Sequence, residues 1–162
     1  NDAKDLDLEP NFPTFKYDFQ NEKLKHYLTI GASTRYNVVK KQEFGDLAAR
    51  FSNYGQKSVD VFAPGFEIYN AVPQSEYMKL QGTSMAAPMV SGAAAFLKSY
   101  FPKLSMVEIK NILLETSDKH NGKMHRKPGA ETPVDFGTLS ITGGTINLVK
   151  AVAAAKVLSA TK

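Results

Sequence analysis

A serine hydroxyl among small residues is the first place where this sequence could do chemistry. Leu80-Gln81-Gly82-Thr83-Ser84-Met85-Ala86-Ala87-Pro88-Met89-Val90 passes from a small-residue turn directly into a run rich in alanine and glycine. A helix opening between Gly82 and Ser84 has first backbone N–H groups without intrahelical acceptors, and the positive end of its dipole favours an anion there. A nucleophilic Oγ at that point has donors at hand for the negative charge that its attack on a carbonyl creates. The competing reading is plainer: Thr83 or Ser84 is the N-cap of a buried helix, a common role for both residue types. Pro88 reads as an early-helix proline, giving up an N–H that needs no helical acceptor.

Other elements must surround such a helix. Val90-Ser91-Gly92-Ala93-Ala94-Ala95-Phe96-Leu97 is apolar or small on nearly every side, which predicts burial all round. Upstream, Tyr27 to Ser33 and Val59 to Ala63 are short β-rich runs that predict buried strands. Glu67 to Val72 and Tyr77 to Leu80, separated by Pro73 to Glu76, predict a hairpin leading into the Ser84 turn. Downstream, Ser105-x-x-Glu108 predicts a capping box for a helix to about Ser117, with Ile109, Ile112, Leu113 and Thr116 on its inward face. Asp118 to Glu131 reads as a polar loop and Val134 to Ile141 as a short strand pair. Asn147 reads as the N-cap of a final helix to about Leu158.

The chain has 162 residues, 43% hydrophobic and 22% charged, a balance that suits one globular domain. A net charge of +4 is spread along the chain and not gathered with aromatics, which argues against a nucleic-acid surface. The absence of cysteine excludes disulfides, a thiol nucleophile and thiolate metal sites. No run reaches the roughly 18 apolar residues of a membrane span. Residues 1–26 read as a long polar surface loop with scattered aromatics, so the start resembles the interior of a larger protein.

Gly-Thr-Ser-Met-Ala-Ala-Pro, followed by Val, Gly and an alanine run, closely resembles the nucleophile segment of the subtilisin-like serine proteases, the subtilases. Met89 stands where that family most often has histidine. Ile-Gly-Ala at 30–32, Phe-Ser-Asn-Tyr-Gly at 51–55, Val-Asp-Val-Phe-Ala-Pro-Gly at 59–65 and Ile-Tyr-Asn-Ala-Val at 68–72 follow the family's order, and Gly-x-Ile-Asn-x-x-x-Ala at 144–151 is similar to its closing helix. The resemblance implies an α/β fold: the C-terminal half of a three-layer subtilisin-like architecture, with a mostly parallel sheet and a buried central helix beginning at Ser84. Residues 1–162 would then be a single partial domain.

The same resemblance implies a serine endopeptidase that hydrolyses peptide bonds through an acyl-enzyme on Ser84, with Gly82 and Thr83 on the substrate side and no cofactor required. Asn1 stands where the family has an asparagine that donates to the oxyanion; a chain boundary that happens to begin with asparagine is the other reading. The family's acid and base precede the serine in segments resembling Asp-Thr-Gly and His-Gly-Thr, and neither occurs here. His26, His120 and His125 read as solvated loop residues, and Asp60 and Asp135 as structural. The isolated chain is therefore expected to be inactive without an N-terminal partner segment. A non-catalytic binding or structural module on the same scaffold is the alternative. Calcium enters as a structural ion, since many subtilases bind it and Asp2, Asp5, Asp7 and Glu9 offer oxygen ligands; a solvated acidic loop is the competing reading. Family habit implies a secreted, periplasmic or cell-envelope protein acting on peptides or proteins.

Overall fold

The computed structural model describes residues 2–10, 26–35 and 47–162. Its centre is a four-stranded sheet built from β1 (Ile30–Ser33), β2 (Val61–Pro64), β8 (Gly144–Thr145) and β5 (Asp118–Lys119), in that spatial order. β1, β2 and β8 are parallel, with Ile30 opposite Val61 and Phe62 opposite Thr145, while β5 runs antiparallel to β8. Two antiparallel pairs complete the β structure: β3 (Ile68–Val72) with β4 (Glu76–Leu80), and β6 (Met124–Arg126) with β7 (Pro133–Asp135). The helices are α1 (Thr83–Tyr100), α2 (Met106–Glu115) and α3 (Leu148–Ala160).

Alternation along β2 divides the interior, because successive strand residues point to opposite faces. Ala63 joins Ala32 of β1 beneath the helices, against Ala86, Val90, Ala93 and Leu97 of α1, Ile109, Ile112 and Leu113 of α2, and Ala151 and Ala155 of α3. Phe62 points the other way, into a second cluster with Leu6, Leu47, Tyr54, Val59, Phe136 and Leu139. Alanines at 32, 63 and 86 let α1 approach the sheet closely. A Cβ on Gly31 would lie 2.5 Å from the Phe62 ring, so that strand position accommodates only hydrogen.

Burial of α1 departs from the sequence expectation. Its buried residues recur at 86, 90, 93 and 97, the one-sided stripe of an amphipathic helix, whereas Met89, Phe96 and Tyr100 are 40%, 41% and 69% exposed. The sheet, α2 and α3 cover one side only; what the sequence read as enclosure is a helix with a second apolar face open to solvent. Pro88 also differs from expectation. It lies inside α1 rather than in its first turn, so it offers no N–H to the Ser84 carbonyl four residues back.

Two further expectations change. The polar stretch 118–131 contains β5 and β6 instead of being loop throughout. The strand pair expected within 134–141 is not formed: β7 pairs back to β6, and a single 3-10 turn, Phe136–Thr138, follows it. Of the stretch 1–26, Ala3 and Leu6 donate their N–H groups to Phe51 and Tyr54 carbonyls, and Leu6 is buried in the second cluster. Residues 3–6 are docked on the sheet's far side.

Candidate active site at the start of the long helix

Ser84 is exposed, the second residue of α1. The cap position belongs to Gly82, so neither Thr83 nor Ser84 is the capping residue that the plainer reading expected. Gly82 has φ 154° and ψ 161°, a region essentially reserved for glycine, because a Cβ there collides with the flanking backbone. Its carbonyl accepts the N–H groups of Met85 at 3.0 Å and Ala86 at 3.2 Å, which closes the first turn. The Ser84 N–H, one of the first-turn donors, has no acceptor inside the helix and stands next to its own hydroxyl.

A series of backbone hydrogen bonds ties this turn to the sheet. Gly82 N–H donates to the Gly65 carbonyl at 2.8 Å, and Gly65 N–H donates to the Ser33 carbonyl at 3.0 Å. Ser33 and Pro64 are the last residues of β1 and β2, so Ser84 lies at the carboxyl end of parallel strands, where open α/β sheets place their ligands. Gly65 has no room for a side chain: a Cβ would meet Gly82 O at 2.7 Å, Ala32 Cβ at 2.8 Å and Ala86 Cβ at 3.1 Å. Gly65 was missed as a positioning residue in the sequence. The Pro64-Gly65 break after a buried strand was the available signal.

The remaining candidates are distributed elsewhere. Asn1 lies outside the described residues. His26 is exposed and borders a cavity of about 410 Å³ with Leu28, Ala87 and Ser91. His120 and His125 are buried, 9% and 4% exposed, contrary to their reading as solvated loop residues. Both meet the Phe136 ring edge-on, with centroids 5.2 and 5.3 Å away. Burial first, then the positive charges of Lys123 and His125, hold the His120 imidazole below its usual range.

Asp60 Oδ2 accepts the Thr29 N–H at 2.7 Å. Asp135 Oδ1 accepts from Gly122 and Gly137 at 2.8 Å each. Both carboxylates hold backbone in place. In the acidic N-terminal segment, Asp5 accepts from Asp7 N–H and Asp7 accepts from Lys57 N–H. Among the described residues, no three His, Asp or Glu side chains gather as metal ligands would. No helix among the described residues is long and apolar enough to cross a membrane.

Comparison with known proteins bears on the family of the chain and on its fold. The chain is 37% identical over 94 residues to the cell wall-associated protease of Bacillus subtilis, covering 58% of this chain and 9% of that protein. It is 38% identical over 92 residues to subtilisin DY of Bacillus licheniformis, covering 55% and 33%. A solved structure of the subtilase cytotoxin SubAB assembly superposes with a TM-score of 0.69 at 22% identity, over 98% of this chain and 48% of that one, which is a likeness of fold. The chain thus spans a third or less of these two relatives and about half of the matched structure. The sequence model of the subtilase family matches residues 13–133, well over half of the chain, and the chain belongs to that family as part of its catalytic domain.

Proposed function

We propose that Ser84 is the nucleophile of a subtilisin-type serine endopeptidase that cleaves peptide bonds in polypeptide substrates. The position of Ser84 carries this reading: an exposed hydroxyl in the first turn of α1, at the carboxyl ends of β1 and β2, held by the Ser33, Gly65 and Gly82 backbone. Ser84 Oγ attacks the substrate carbonyl carbon, its proton passes to an imidazole, and the leaving amine takes that proton as the acyl-enzyme forms. The oxyanion is held by the Ser84 N–H and the Asn1 amide, with Gly82 and Thr83 facing the substrate chain. Loss of one such side-chain donor costs about 10²–10³ in kcat, a magnitude taken from subtilisin, itself a member of this family.

In this reading the general base and its orienting carboxylate lie outside the 162 residues. His120 and His125 pack on Phe136, and Asp60 and Asp135 are engaged by backbone amides. Residues 1–162 are one partial domain, inactive alone, completed by an upstream segment. The name of the cell wall-associated relative supports an exported protein. The test is labelling of the chain, together with its upstream segment, by a fluorophosphonate. Labelling that disappears in Ser84→Ala is the expected outcome; a folded, complete domain that takes no label would favour a non-catalytic module instead.

A further inference from the structure

The hairpin of β3 and β4 leaves and rejoins the molecule at the Ser84 turn. Gly65 precedes it and Gly82 follows it, and the Gly82 N–H donates to the Gly65 carbonyl at 2.8 Å, so both feet of the hairpin meet where α1 begins. Glu67, with φ 52°, leads the chain into β3, and its carboxylate pairs with Arg35 Nη2 at 2.8 Å, just beyond the end of β1. At the far end Val72 faces Glu76 across a three-residue tip, Pro73–Ser75, in which Gln74 and Ser75 have φ of 69° and 60°. The ribbon is thus fixed at its feet and tightly turned at its tip.

Its register puts Tyr69 opposite Lys79 and Ala71 opposite Tyr77, so these four side chains share one face, and all four are exposed. The two phenol rings are diagonal neighbours that stack on each other, with centroids 5.6 Å apart and planes 24° from parallel. Single exposed apolar residues are ordinary on a protein surface, but packing does not account for a stacked aromatic pair on a two-stranded ribbon without a core of its own. Each ring holds the other, so little side-chain freedom remains to be lost when a further group joins the stack. Lys79, on the same face, forms no ion pair among the described residues. β4 runs from this face toward Ser84: Tyr77 stands three residues before the strand's last residue, Leu80. That is about 10 Å at roughly 3.3 Å per residue, a distance that about three residues of an extended polypeptide also cover.

Taking Ser84 as the peptidase nucleophile, on which this rests, we propose that the Tyr69–Tyr77 face is a second contact for extended polypeptide substrates. It takes a bulky apolar side chain lying a few residues from the cleaved bond, and Lys79 favours a carboxylate beside that side chain. The shared feet of the hairpin and the Ser84 turn select this occupant, because a chain lying across Ser84 passes the base of the ribbon whose face carries the tyrosines. The rings touch no reacting group. They act on the binding of long chains, so their loss raises KM for these and not for peptides that end short of the hairpin.

The test compares kcat/KM, in the domain completed by its upstream segment, for a short chromogenic peptide and for an unstructured polypeptide with the same residues at the cleaved bond. In the double variant Tyr69→Ser, Tyr77→Ser the ratio of long to short should fall by about tenfold or more, as truncation of aromatic anchors does. Lys79→Glu should lower that ratio for a polypeptide with acidic residues flanking the cleaved segment and raise it for a basic one. A ratio unchanged in the tyrosine variant, or moved alike for both polypeptides by Lys79→Glu, overturns the second contact. Coverage of the face by the rest of the domain overturns it too, and shows as resistance of Tyr69→Cys to a maleimide in the substrate-free complete domain. Fluorophosphonate labelling of the parent separates the two levels. A folded parent that takes no label fails at Ser84 and brings the second contact down with it, whereas a labelled parent with an unchanged ratio fails at the hairpin alone.

Discussion

Placement of Ser84 depends on residues that carry no reactive group. Gly65 sits where β2, α1 and the Gly82 carbonyl converge, and two of the three atoms nearest its missing Cβ are methyl carbons packed in the core. Gly65→Ala must therefore push Gly82 O, and with it the first turn of α1, away from the strand ends. A displacement of about 1 Å can cost 10²-fold in a positioned reaction, so fluorophosphonate labelling of Ser84 in the complete domain should slow by between ~10-fold and ~100-fold. Gly31→Ala is the control, because its Cβ meets the Phe62 ring on the face away from Ser84. It should lower the urea midpoint while leaving labelling of the folded protein near the parent rate. A folded Gly65→Ala that labels as fast as the parent removes Gly65 from the positioning of Ser84. Gly82→Ala forces a side chain into a glycine-only conformation and should cost about 1–3 kcal/mol, read from urea unfolding.

Among the elements, α2 illustrates what a sequence can carry locally. Ser105 Oγ accepts the Glu108 N–H at 3.3 Å, and Glu108 Oε2 accepts the Ser105 N–H at 2.8 Å, the reciprocal capping box written as Ser-x-x-Glu. Lys162 then adds a contact from beyond the end of α3. Its hydrogen bond comes first, ahead of those from the Ser105 backbone and hydroxyl, in lowering the Glu108 carboxyl from 4.5 to about 2. A depressed folded value means that the stabilising contribution is present above about 4.5 and is lost as pH falls toward 2. Ser105→Ala should cost about 1 kcal/mol in urea unfolding at neutral pH. Glu108→Gln should flatten the pH dependence of stability between 4.5 and 2; an acid limb as steep as the parent's would show that the carboxylate is unimportant there.

Such local signals make α2, α3 and the β3–β4 hairpin legible in the sequence. β5 and β6 were not legible, because strands of two and three polar residues exist only through their partners in β8 and β7. Burial of His120 and His125 was hidden for the same reason: it is set by Phe136 and Thr145, brought in from other elements. At the candidate site, the small-residue turn drew attention to Ser84, while the dependence of that turn on Gly65 required the convergence of β2 and α1 to be seen.

At the scale of the molecule, α1 separates what these residues complete from what they leave open. Its inward stripe is packed on Ala32 and Ala63, while Met89, Phe96 and Tyr100 stand on its uncovered sides, with the Phe96 and Tyr100 rings 4.6 Å apart. An apolar face on the helix that carries Ser84 suits coverage by the remainder of a domain, and the matched relatives extend well beyond the span of this chain. The chain has no cysteine, so single cysteines report on that coverage without background. Met89→Cys and Phe96→Cys should react readily with a maleimide in the 162-residue polypeptide. In a polypeptide extended upstream to the length of the relatives, both should be protected by at least about tenfold, whereas a cysteine at the exposed Val149 of α3 should react alike in both. Equal reactivity at positions 89 and 96 in the two polypeptides would mean that the open face of α1 is not where the rest of the domain packs.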